Sequence, residues 1–136
     1  MDKDCWKPVL TREEKPWGHE ITWLSIPTLR GKVISMDKGK KTSIKSYSNK
    51  AEVFFVLEGM VEIIYAPEEW HYHPSHKLFV HTTLSTGEVF VVQANCPYRI
   101  EAVTDVRLFE MANHPTDFFT KFDDDVLEPP QDETGS

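Results

Sequence analysis

Long apolar runs are missing from this sequence. No stretch reaches the roughly 18 residues that a membrane-spanning helix needs, so no such helix is expected. Cysteine is scarce: Cys5 and Cys96 stand far apart, make no CxxC pair and cannot build a disulfide framework. Cys96 precedes Pro97 with no histidine beside it to serve as a base, so it reads as a structural thiol rather than a nucleophile. The GxGxxG, P-loop and GxSxG patterns are absent, which removes the usual signals for dinucleotides, nucleotide phosphates and hydrolase serines. The opening MDKDCWKPVL lacks the basic-then-apolar order of a secretory signal, and a cytoplasmic address is expected. Positive charge is also in deficit. Fifteen Lys and Arg against 22 Asp and Glu give a net charge of −7, which argues against nucleic acid as a partner.

What remains is a chain of 136 residues, 40% hydrophobic, enough for one domain with one core. Its acidity is uneven. Residues 121–136 hold six acids and one lysine, a net of −5, leaving −2 for residues 1–120. That tail, with Pro129 and Pro130 adjacent, has too little apolar surface to offset the entropy of ordering and is expected to be disordered. It is either a solvated end or an acidic segment that binds a protein partner through Val126 and Leu127.

Upstream of the tail, β-branched and aromatic residues come in short runs broken by turn formers. The runs are 20–26, 31–36, 42–47, 52–58, 60–66, 77–84, 87–92, 98–103 and 106–112, with Gly31, Gly39, Gly59 and Gly87 as punctuation. Many short strands at this spacing predict an all-β sandwich or barrel with little helix. Residues 114–122 (HPTDFFTKF) read as a helical turn or a short helix. The segment 67–76 (PEEWHYHPSH) is longer than a hairpin turn requires, which marks it as a functional loop or an adaptable flap. Within it His71, His73 and His76 offer the one spacing suited to a metal ion. The alternative is an aromatic and imidazole loop, with Trp70 and Tyr72, that packs over the barrel mouth or a partner.

Two glycine-anchored segments carry a further pattern. Gly39 is followed at fixed spacing by Lys45, Tyr47, Glu52 and Gly59, and Gly87 by Gln93, Asn95, Tyr98 and Ala102. These spacings resemble the two signature motifs of the cupin superfamily, and VFFVLEG (53–59) looks like that family's strand and turn. The segment KPWGHE (15–20) resembles the start of the cupin domain in type II mannose-6-phosphate isomerases. The resemblance implies a cupin-type double-stranded β-helix, a jelly-roll barrel of two antiparallel sheets. It would span residues 15–120, after an N-terminal arm at 1–14 and before the acidic tail at 121–136. It also makes a homodimer expected.

In cupins two histidines and a glutamate of the first motif and one histidine of the second usually hold a metal. The matching positions here are Lys45, Tyr47, Glu52 and Tyr98. A protonated lysine has no lone pair to offer, and a neutral phenol is a poor ligand for zinc or ferrous iron. No metal at the barrel site, and no other cofactor, is therefore expected. Replacement of the second-motif Pro and Gly by Gln93 and Asn95 leaves the turn feasible, because Asn tolerates positive φ.

On an extended strand Lys45 and Tyr47 share a face. One reading makes Lys45 and Glu52 a buried ion pair, with the tyrosines filling the old metal cavity. The other makes Lys45, Tyr47, Glu52, Gln93 and Tyr98 a polar site for a sugar or sugar phosphate, with Phe54, Tyr65 or Phe90 as aromatic walls. Acid–base isomerisation without a metal would suit that second site. The rival function is a non-enzymatic scaffold or protein-interaction module with a filled barrel. Whether the chain catalyses a reaction is left open at this stage.

Overall fold

The computed structural model describes residues 4–66, 79–113 and 119–122. Eleven strands follow in order: β1 (Thr11–Lys15), β2 (Gly18–Ile26), β3 (Leu29–Met36), β4 (Ile44–Tyr47), β5 (Glu52–Glu58), β6 (Met60–Tyr65), β7 (Val80–Ser85), β8 (Val89–Val92), β9 (Tyr98–Ala102), β10 (Val106–Asn113) and β11 (Phe119–Phe122). There is no helix among the described residues, and none long and apolar enough to cross a membrane.

The strands form two antiparallel sheets, of order β1-β2-β3-β10-β5-β8 and β11-β4-β9-β6-β7. Each strand's alternation decides which side faces inward. Along β5, Glu52, Phe54 and Val56 are buried, while Val53, Phe55 and Leu57 lie outward and exposed. Along β10, Val106, Leu108, Glu110 and Ala112 are buried on one face. The two inward faces meet in a core that includes Phe54, Val56, Val61, Ile63, Ile100 and Leu108. Sealing a Phe or Ile side chain from water in this way stabilises by about 1.5–3 kcal/mol each.

Nine expected strands are present, with ends shifted by a few residues. Two further strands were not expected. Residues 119–122, read from sequence as part of a helical turn, instead form β11, which pairs with β4 from Phe119↔Tyr47 to Phe122↔Ile44. Thr11–Lys15, mostly within the segment read as an arm, forms β1 at the edge beside β2. The cause is the same at both places: a partner strand supplies the backbone hydrogen bonds that composition alone does not announce. Residues 67–78, 114–118 and 123–136 lie outside the described residues, and with them the loop histidines His71, His73 and His76 and nearly all of the acidic tail.

The turns follow the glycine pattern. Gly39, Gly59 and Gly87 all have positive φ, and Asn95 is the one non-glycine residue among those described to share that conformation, at φ 67°. Asn95 N–H donates to Tyr47 C=O at 2.6 Å, so this turn is fastened to the end of β4.

Candidate functional site

β4 brings Lys45 and Tyr47 to one end of the barrel, β5 brings Glu52, and β9 brings Tyr98, which is the register partner of Lys45. All four line a small cavity of ≈ 60 Å³, together with Phe54, Lys50 and Glu110 among others. Beside it lies a vestibule of ≈ 560 Å³, and the two share Trp17, Glu20, Lys32, Thr42, Lys45, Tyr47 and Lys50 as common wall. Gln93, the fifth residue singled out from the sequence, is exposed after β8 and lines neither space. Of the aromatic walls considered, Phe54 lines the cavity and packs on Tyr98 with ring centroids 5.8 Å apart. Tyr65 and Phe90 pack on each other against the core instead.

Glu52 is the hub. Tyr98 Oη donates to its Oε1 at 2.6 Å, and the Lys50 ammonium stands 3.7 Å from its Oε2. The ion pair expected between Lys45 and Glu52 is thus made by Lys50, which the sequence reading did not include. Lys50 also sits 4.2 Å above the Tyr47 ring, a cation–π contact. Burial disfavours the charge on Glu52. A hydrogen bond from Glu110, the Lys50 charge, the Tyr98 hydroxyl and Lys45 outweigh it and hold this carboxyl below its ordinary value.

Glu110 is the second residue missed. It reaches the cavity from β10, on the strand beside Glu52. Burial, then the hydrogen bond to Glu52 and its negative charge, push the Glu110 carboxyl well above the usual carboxylate range, against the weaker pull of Lys32 and Lys50. The two shifts together favour the proton on Glu110 and the charge on Glu52. Burial likewise drives the Tyr98 phenol well above its ordinary 10.0, and the Glu52 charge adds to the effect. Lys45 is shifted down, by burial first, with Glu52 and Glu110 offsetting part of the loss. The signal for Glu110 was present in the sequence: it shares strand parity with Val106, Leu108 and Ala112, an acid on an inward apolar face.

Comparison with known proteins fixes what kind of barrel this is. No family model matches the sequence, and no curated protein matches it. Solved structures do. KdgF from Halomonas sp. is similar over 81% of this chain and 89% of its own, at 15% identity and a TM-score of 0.63. Oxalate decarboxylase from Bacillus subtilis is similar over 93% of this chain and 33% of its own, at 10% identity and a TM-score of 0.68. The capsular polysaccharide assembling protein CapF from Staphylococcus aureus is similar over 78% of this chain and 28% of its own, at 16% identity and a TM-score of 0.62. These likenesses show the fold, and the fold is that of the cupins, all-β with two antiparallel sheets. They carry no subfamily: the resemblance to mannose-6-phosphate isomerases rests on KPWGHE alone.

Lys45, Tyr47, Glu52 and Tyr98, which the motif resemblance places at a metal site, do not fit a divalent cation. One carboxylate oxygen accepts from a phenol that stays protonated, the other faces an ammonium, and a second ammonium, Lys45, lines the same cavity. Among the described residues no group of three or more His, Cys, Asp or Glu is gathered to hold a metal.

Proposed function

We propose that this barrel binds a small polar ligand, a sugar or sugar phosphate, and acts on it without a metal. The observation that carries this reading is Glu52, Glu110 and Lys45 gathered around one small cavity beside an open vestibule. The floor cavity, at ≈ 60 Å³, has room for a few waters or for one end of a ligand. The vestibule, at ≈ 560 Å³, has the size of a small-molecule site. The ligand body therefore occupies the vestibule and presents hydroxyl or carbonyl groups to Glu52, Glu110 and Tyr98.

The chemistry such a floor supports is proton transfer. Ionised Glu52 takes a proton from the carbon next to a carbonyl, and Glu110 gives its proton to the carbonyl oxygen. Glu52 then gives its proton to the former carbonyl carbon while Glu110, now ionised, takes the hydroxyl proton from the carbon that was deprotonated, which moves the carbonyl by one position and restores both carboxyl groups. A thermal-shift screen tests binding: sugars or sugar phosphates should raise the unfolding midpoint, and Glu52→Gln should remove the effect. Catalysis is tested by following exchange of solvent deuterium into a bound sugar by NMR. Stabilisation by none of the sugars, at concentrations well above typical affinities, overturns the reading.

A further inference from the structure

The chain as a whole is acidic, yet the mouth of its barrel is basic. β1 and β3 contribute Lys15, Arg30 and Lys32 to the vestibule, the approach to β4 and β4 itself contribute Lys41 and Lys45, and Lys50 and Lys121 complete the ring. Only two acids, Glu13 and Glu20, line the same space among the described residues. Named ion pairs account for three of the cations: Lys15 with Glu13 at 3.1 Å, Lys32 with Glu20 at 2.8 Å, and Lys50 with Glu52. Lys41, Lys45 and Lys121 make no ion pair among the described residues.

The register sharpens this. Lys121 on β11 is the direct partner of Lys45 on β4. Like charges directly opposite one another in an antiparallel pair are destabilising. Lys45 makes no direct ion pair among the described residues and lies against two rings, with its ammonium 5.6 Å from the Tyr47 centroid and 5.4 Å from that of Phe119, while Glu52 and Glu110 act on it through space. Lys121 lines the vestibule alone, Lys45 lines both spaces, and Glu52 and Glu110 line the floor cavity alone, so the unpaired positive charge stands nearer the mouth than the carboxyl groups.

We infer that the vestibule takes an anionic sugar, its phosphate or carboxylate group held between Lys45 and Lys121 and its hydroxyls turned toward Glu52, Glu110 and Tyr98. This rests on the sugar-binding reading above and adds to it the charge of the ligand and its direction in the site. Charge-assisted hydrogen bonds from two lysines give such an anion its main hold, and they neutralise the opposed pair on binding.

The test is calorimetric titration of the full chain with glucose, glucose 6-phosphate, glucuronate and inorganic phosphate, at low and high salt. The expected result is that one or both anionic sugars bind about tenfold or more tightly than glucose, more weakly as salt rises. Whichever of the two binds better tells a phosphate ester from a carboxylate. Lys121→Gln should weaken the anionic sugar about tenfold. It should also leave the unfolding midpoint of the unliganded chain unchanged or higher, because it relieves the opposed charges. Glucose binding as tightly as glucose 6-phosphate, or a Lys121→Gln chain with full affinity, overturns the anion clamp and leaves the sugar reading standing. Loss of stability in unliganded Lys121→Gln also overturns it, since the lysine would then be structural. Inorganic phosphate binding with no sugar bound supports the clamp and overturns the sugar reading. No binding by any probe overturns both.

Discussion

Single residues at the turns of this barrel are held by two different constraints, and they can be separated. At Gly59 the chain turns from β5 to β6 with φ 101°, and a methyl group would run into the carbonyl oxygen of Asp105. At Gly39 φ is 82°, but nothing lies within 4 Å of where a methyl would stand. Gly39→Ala therefore meets only the strain of positive φ, about 1 kcal/mol. Gly59→Ala meets that strain and a backbone collision, and should lose about 2 kcal/mol or more. Urea unfolding of the two variants checks the order; equal losses would show that φ alone matters. Asn95 carries the same lesson, since its side chain tolerates a conformation for which the related motif uses Gly. These positions were readable in the sequence because turn geometry restricts residue type locally. Lys45, Tyr47, Glu52 and Tyr98 were readable for a related reason: the motif spacing gave their parity. Lys50 and Glu110 hold no motif position: strand parity marked Glu110 as inward, and packing brings Lys50 to the cavity.

At the scale of the element, β1 and β11 show where local pattern stops being informative. The residues of β11, FTKF, have no alternation of buried and exposed positions, and three of its four residues are exposed. Its identity as a strand comes from β4, and from Phe119, whose ring packs on Tyr47 with centroids 5.7 Å apart. Removing that ring should loosen the strand. Phe119→Ala is expected to lose about 1 kcal/mol of stability. It should also raise amide exchange at Thr120 and Lys121 before any change is seen in β9. Uniform faster exchange across both sheets would instead show that β11 unfolds only with the whole barrel. β1 is alike in composition, with Arg12, Glu13 and Glu14 exposed, and owes its place to backbone pairing with β2. The central strands β5 and β10 were legible because each has one face in the core and one outside, which writes a period of two into the sequence.

For the whole molecule, the floor of the barrel links folding to pH. Glu110 keeps its proton in the folded chain well above 4.5, whereas in the unfolded chain it ionises near its ordinary value. Between those two points the folded state holds the additional proton, so rising pH favours unfolding. The stabilising contribution is complete below 4.5 and is lost as pH rises toward and through the raised value. Glu52 acts in the opposite sense. Its carboxyl is held below 4.5 when folded, so its contribution is present above that pH and is lost as pH falls through the lowered value. Glu110→Gln keeps a donor for Glu52 but removes the proton that titrates. The difference in unfolding free energy between this variant and the parent chain should therefore shift toward the variant as pH rises above 4.5, by about 1.4 kcal/mol for each pH unit while Glu110 is protonated in the folded chain and ionised in the unfolded one. Urea unfolding at a series of pH values measures that difference directly. A difference that stays constant over this range would mean that Glu110 is already ionised in the fold. The acid half of the proposed proton-transfer pair would then be lost, while the vestibule and its lysines would be unaffected.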